Sequence, residues 1–95
     1  MQKKSEDNWD RFLKLCSKLK TTKEFDELFD LFLTIEERQA VGNRLRIVEE
    51  LLIGEKNQRQ IAIDCGVGIA TITRGSNYLK TISKKLRHFL EGKLL

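Results

Sequence analysis

The chain has 95 residues and a net charge of +4, with 34% charged and 40% hydrophobic side chains, one histidine and two cysteines. That length predicts one small domain, burying only a little over ~60% of its unfolded surface, so oligomerisation is the expected source of further burial. Cys16 and Cys65 have no CxxC or metal-ligand spacing, and no apolar run approaches the ~18–20 residues of a membrane helix; no metal centre, disulfide framework or membrane span is expected.

In chain order, Met1 to Asp7 is polar and lacks the apolar core of a signal peptide, which predicts a cytoplasmic, thiol-reduced protein. Trp9, Phe12, Leu13, Cys16 and Leu19 step by threes and fours and form the stripe of a first helix. Phe25, Leu28, Phe29, Leu31, Phe32 and Leu33 give a second helix that is apolar over too much of its circumference for a small monomer to cover. Its surplus surface reads as a dimer interface.

Thr34-Ile35-Glu36-Glu37 is a capping box, and it opens a long helix with Val41, Leu45, Val48, Leu51 and Leu52 on one face, ending near Gly54. Asn57 caps a short helix that runs to about Asp64 or Cys65. Gly66-Val67-Gly68 makes a turn, and a second short helix spans about Ile69 to Leu79. Ser83 caps a last helix carrying Leu86, Phe89 and Leu90. The chain has no proline and no strand pattern, so the fold class is all-α.

Residues 58–75 read as a helix–turn–helix. Ile61, Cys65, Val67 and Ile72 are spaced to form its small shared core, Ala62 permits close approach, and Gly66 suits the turn. Charge supports a nucleic-acid partner for it. Residues 1–33 hold seven basic and seven acidic side chains, and residues 34–56 four and five. Residues 57–95 hold seven basic against two acidic, and Cys65 to Leu90 contains no acid. Gly66 to Thr71 also resembles the start of a GxGxxG nucleotide loop, but the third glycine is missing and a helix precedes it. A plain helical hairpin would leave the polar face of Thr71, Thr73 and Arg74 without a purpose.

The second short helix is weakly specified. Ile69, Thr71, Ile72 and Thr73 are middling helix formers, and Gly75 costs about 1 kcal/mol relative to alanine. A ligand that clamps this segment would improve DNA binding by selecting one conformation. Arg44, at the edge of the long helix's stripe, and Arg74, directly before Gly75, are candidates to hold it. Two guanidinium planes can sandwich an aromatic ring while one takes a carboxylate.

Leu33-Thr34 with Glu37-Arg38, Arg44, Arg46 to Leu52, Gly54-Glu55, Gln58-Arg59 and above all Gly68-Ile69-Ala70-Thr71-Ile72-Thr73-Arg74-Gly75-Ser76-Asn77 resemble the Trp repressor family. The resemblance covers roughly Leu33 to Leu95 and implies a six-helix intertwined homodimer that represses transcription with L-tryptophan as corepressor. In that organisation residues 1–56 form the dimerisation core, 57–80 the helix–turn–helix reading head, and 81–95 a helix returning to the core. Arg44 and Arg74 would flank the indole, Arg74 with Thr34 would receive the carboxylate, and carbonyls near Leu31 and Leu33 of the partner subunit would take the ammonium. Val48 and Gly75 would line the pocket. For operator DNA, Arg59 would read guanine, Ile69, Ala70 and Thr73 would approach bases, and Gln58, Thr71 and Lys80 would hold phosphates.

One position departs from the family pattern: Tyr78 stands where the family has a serine that helps bind the ammonium. Either its ring swings out and backbone carbonyls serve alone, which is the favoured reading, or the preference moves to an indole acid without the amine. Catalysis is not expected, because the lone His88 has no nucleophile or carboxylate spaced with it, and no catalytic cofactor is implied. The competing functions are a helix–turn–helix regulator for another indole or aromatic ligand, and a helical protein-interaction module without DNA binding.

Overall fold

A computed structural model describes residues 7–95, so the reading of the polar segment Met1 to Glu6 lies outside the described residues. Among the described residues the chain forms six helices and no strand: α1 (Asn8–Cys16), α2 (Thr22–Phe32), α3 (Ile35–Ile53), α4 (Gln58–Cys65), α5 (Ile69–Leu79) and α6 (Lys84–Leu94). No helix of the described residues is long and apolar enough to cross a membrane. The chain divides into two compact units, Met1–Arg38 and Gln39–Leu95.

The first unit is held by aromatic contacts and by caps. The Asp7 side chain accepts from the Asp10 N–H and starts α1. Thr21 and Glu24 form a complete capping box on α2, the same Thr-x-x-Glu signal that opens α3. Phe12 of α1 meets Phe32 of α2 edge-on, with centroids 5.2 Å apart, and lies 6.2 Å from Phe29. Arg38, in the first turns of α3, donates to Asp26 and Asp30 of α2. No residue described in α1 or α2 is fully buried, and Leu31 is 78% exposed. That is apolar surface left without a cover.

The second unit contains the core. Ile47, Ile61, Ala62 and Ile72 are buried together, with Leu51, Cys65 and Val67 packed against them. Ile61, Cys65, Val67 and Ile72 therefore do share a core, as their spacing implies. Of the α3 face read from the sequence, the core takes Leu51, and it adds Ile47, which that reading left out. Ile47 is buried, whereas Val41 and Leu45 remain half-exposed. The reason is that α3 is apolar on two sides, Val41/Leu45/Val48/Leu52 and Ile47/Leu51, and one copy of the unit covers the second while leaving Val41 and Leu45 of the first exposed.

Local chemistry fixes the α4–α5 corner. The Asn57 side chain accepts from the Gln60 N–H at 2.8 Å, and α4 ends at Gly66, whose φ of 68° lies in the left-handed region that side chains disfavour. The Val67 N–H returns to the Ala62 carbonyl at 3.0 Å. A polar cluster then ties α4 to α3. Lys56 Nζ donates to Asp64 Oδ2 at 2.8 Å and to Glu50 Oε2 at 3.0 Å, Gln60 Nε2 donates to Asp64 Oδ1, and Arg46 Nη1 donates to the Asp64 carbonyl.

Candidate ligand pocket and nucleic-acid interface

A pocket of about 620 Å³ opens in the second unit, lined from α3, α5, α6 and the segment before α6. This volume is in the range of small-molecule sites. Arg44, Ile47 and Val48 come from α3. Thr71, Arg74, Gly75 and Tyr78 of α5 follow one another at helical spacing and share a face. Of the residues assigned to a ligand from the sequence, the fold brings Arg44, Val48, Arg74, Gly75 and Tyr78 together. Thr34, Leu31 and Leu33 lie in the first unit. The Thr34 hydroxyl accepts there from the Glu37 N–H while Glu37 accepts from the Thr34 N–H, closing the expected capping box.

Sequence reasoning missed Ile47, Thr71, Leu79, Ile82 and Leu90 as pocket walls. Thr71 had a usable signal, since it precedes Arg74 by three residues and Tyr78 by seven. It is half-buried on the pocket side, whereas Ile69, Ala70 and Thr73 are exposed. Gly75 lies against α3: a Cβ there would sit 3.8 Å from Ile47 Cγ2 and from Leu51 Cδ1, in ordinary contact.

The arginines sort into two sets. Arg11 donates to Asn8, Arg38 to Asp26 and Asp30, Arg46 to the Asp64 carbonyl, and Arg87 pairs with Glu91. Arg44, Arg59 and Arg74 have no hydrogen bond or ion pair among the described residues. These three are the arginines that the sequence singles out for ligand and DNA. No carboxylate lines the pocket that Arg44 and Arg74 share. An unpaired guanidinium pair over an apolar wall suits a flat, anionic aromatic molecule.

On the other side of α5, Gly68 is the N-cap and supplies no side-chain acceptor, so the first-turn amides have no side-chain cap. Arg59 and Lys80 are exposed. Gln58 Oε1 accepts from the Thr73 hydroxyl at 2.8 Å, linking the start of α4 to α5. The bracing cluster is also marked in its ionisation. Hydrogen bonds from Lys56, then Gln60, hold the Asp64 carboxyl below its ordinary range, and those to Asp64 and Glu50 push the Lys56 ammonium up.

A family model described as Trp repressor protein matches residues 7–94. The chain belongs to the Trp repressor family. It is similar to the Trp operon repressor homolog of Chlamydia caviae, with 49% identity over 91 residues covering 96% of this chain and 90% of that protein. The Trp operon repressor homolog of Chlamydia trachomatis serovar D is 45% identical over 94 residues, covering 99% of this chain and all of that protein. That of Vibrio vulnificus is 45% identical over 89 residues, covering 90% of this chain and 87% of the relative. The Trp repressor family match thus reaches both units, including residues before Leu33, to which the resemblance read from the sequence did not extend.

Proposed function

We propose that this chain is an L-tryptophan-dependent transcriptional repressor that acts as an intertwined homodimer in the cytoplasm. The observation that carries the proposal is the set of three unpaired arginines: Arg44 and Arg74 on one carboxylate-free pocket, and Arg59 on α4. Arg44 and Arg74 would flank the indole, with Arg74 taking the carboxylate and Val48 and Gly75 forming part of the wall. Thr34, Leu31 and Leu33 enter the proposal through the family resemblance alone.

The same α5 carries the pocket on one face and Ile69, Ala70 and Thr73 on the other, so a ligand that fixes α5 also fixes what it offers to DNA. In this reading α4 and α5 are a helix–turn–helix with α5 in the major groove. Arg59 reads guanine bidentately, and Gln58, Lys80 and the uncapped amides of α5 hold phosphates. Thr71 serves the pocket wall before it serves the backbone. Residues 1–56 form the dimerisation core, 57–80 the reading head, and 81–95 return to the core. Support for a second copy comes from burial: among the described residues only four are buried, and Leu31, Phe32, Ile35, Val41 and Leu45 stay exposed.

A gel-shift titration on operator DNA tests the proposal. L-tryptophan is expected to raise operator affinity, and by linkage operator DNA should raise L-tryptophan affinity by the same factor. Equal operator affinity with and without L-tryptophan rejects it.

A further inference from the structure

The charges around the pocket pose a problem for any amino-acid ligand. Its lining holds two guanidiniums, from Arg44 and Arg74, and no carboxylate. The carboxylate of such a ligand is attracted there, but its ammonium is repelled by the same pair. Besides Thr71, the polar group on the lining that is not cationic is Tyr78, one turn beyond Arg74 on the same face of α5.

Tyr78 is 73% exposed at the pocket, and neither its hydroxyl nor its ring has a partner among the described residues. A tyrosine face attracts an ammonium through its quadrupole, and the lining offers a cation no other such surface.

Resting on the ligand reading above, and in place of the swung-out ring favoured from the sequence, we infer that Tyr78 is the specificity residue of this pocket: its ring face receives the ligand's ammonium, beside the partner carbonyls that the family resemblance implies, and offsets the repulsion from Arg44 and Arg74. The class selected is thereby an aromatic α-amino acid, not the corresponding acid without the amine. The ring face, and not the phenolic oxygen, does the selecting.

The test is a ratio of two affinities measured by calorimetry on the full chain, L-tryptophan against indole-3-propionate, for the natural protein and for Tyr78→Phe and Tyr78→Leu. Using a ratio cancels any general loosening of α5 by the substitutions. An exposed cation–π contact corresponds to roughly a two- to five-fold change. Tyr78→Leu should shift the ratio toward indole-3-propionate by that factor, and Tyr78→Phe should keep the natural ratio. An unchanged ratio in Tyr78→Leu overturns the inference and leaves the pocket reading standing. A ratio shifted equally in both variants overturns it as well, assigning selection to the hydroxyl. If neither ligand binds the natural protein, the ligand reading itself fails and the inference with it.

Discussion

Gly75 of α5 lies over Ile47 of α3, and a Cβ added at Gly75 would rest 3.8 Å from Ile47 Cγ2 without a clash. Alanine is therefore accommodated where the sequence places its poorest helix former. Gly75→Ala is expected to stabilise the protein by about 1 kcal/mol, or about 4–8 °C in Tm for a domain of this size. Chemical and thermal denaturation check it. A loss of stability would mean that α3 and α5 cannot accept even an ordinary van der Waals contact at this crossing.

Arg44 and Arg74 line one pocket from two helices, and in the proposed complex they flank one ring, so neither would replace the other. Arg74→Ala should abolish the effect of L-tryptophan on operator affinity, because the carboxylate partner and one guanidinium plane are lost together. Arg74→Lys should restore little, since an ammonium has no plane to stack and no fork for a carboxylate. Parallel calorimetry and gel shifts measure this, and a lysine variant with natural corepressor affinity would contradict the stacking role.

What the sequence made legible depended on how local each signal was. The limits of α4 and α5 follow from Asn57, Gly66 and Gly68 within a few residues, and the shared core of Ile61, Cys65, Val67 and Ile72 is set by spacing across one turn. Arg44 and Arg74 were recognisable because an arginine at the edge of an apolar stripe and another before a glycine are locally unusual. Ile47 was not, because α3 is apolar on two sides and periodicity does not say which side a neighbour covers. The division after Arg38 is likewise silent in the sequence: α3 runs through it without a break in helical pattern. Leu79, Ile82 and Leu90 reach the pocket only through tertiary packing, which no local pattern encodes.

Arg59 is exposed and free, while its neighbour Gln58 is engaged with Thr73. The two should therefore respond differently to truncation. Arg59→Ala should cost about 1–3 kcal/mol of specific operator affinity with L-tryptophan saturating, and should relax discrimination at the base pair it reads. Gln58→Ala should instead weaken binding across sequences alike. Competition gel shifts against single-base operator variants separate these outcomes, and an Arg59→Ala protein with undiminished discrimination would remove Arg59 from base reading.

Asp64 ties α4 to Lys56, and through it to Glu50 of α3, by charge, so its contribution must depend on pH. Its carboxyl is held below the ordinary value by the hydrogen bonds from Lys56 and Gln60. The stabilisation is thus present above the unfolded-state pKa, about 4, and is lost as pH falls through the lower folded-state value. Lys56 has the opposite sign: its raised value gives stability that is present below the unfolded-state pKa, about 10.4, and lost as pH rises through the folded-state value. Denaturation of the natural protein and of Asp64→Asn across this range should show a stability difference that is flat near neutrality and shrinks toward zero in acid. Glu24, whose carboxyl is also lowered, by the Lys20 and Thr21 amides, would add an acid limb common to both proteins, so only the difference reports on Asp64. A difference that persists unchanged to about pH 2, well below the usual carboxylate range, would show that Asp64 holds α4 by shape and not by charge.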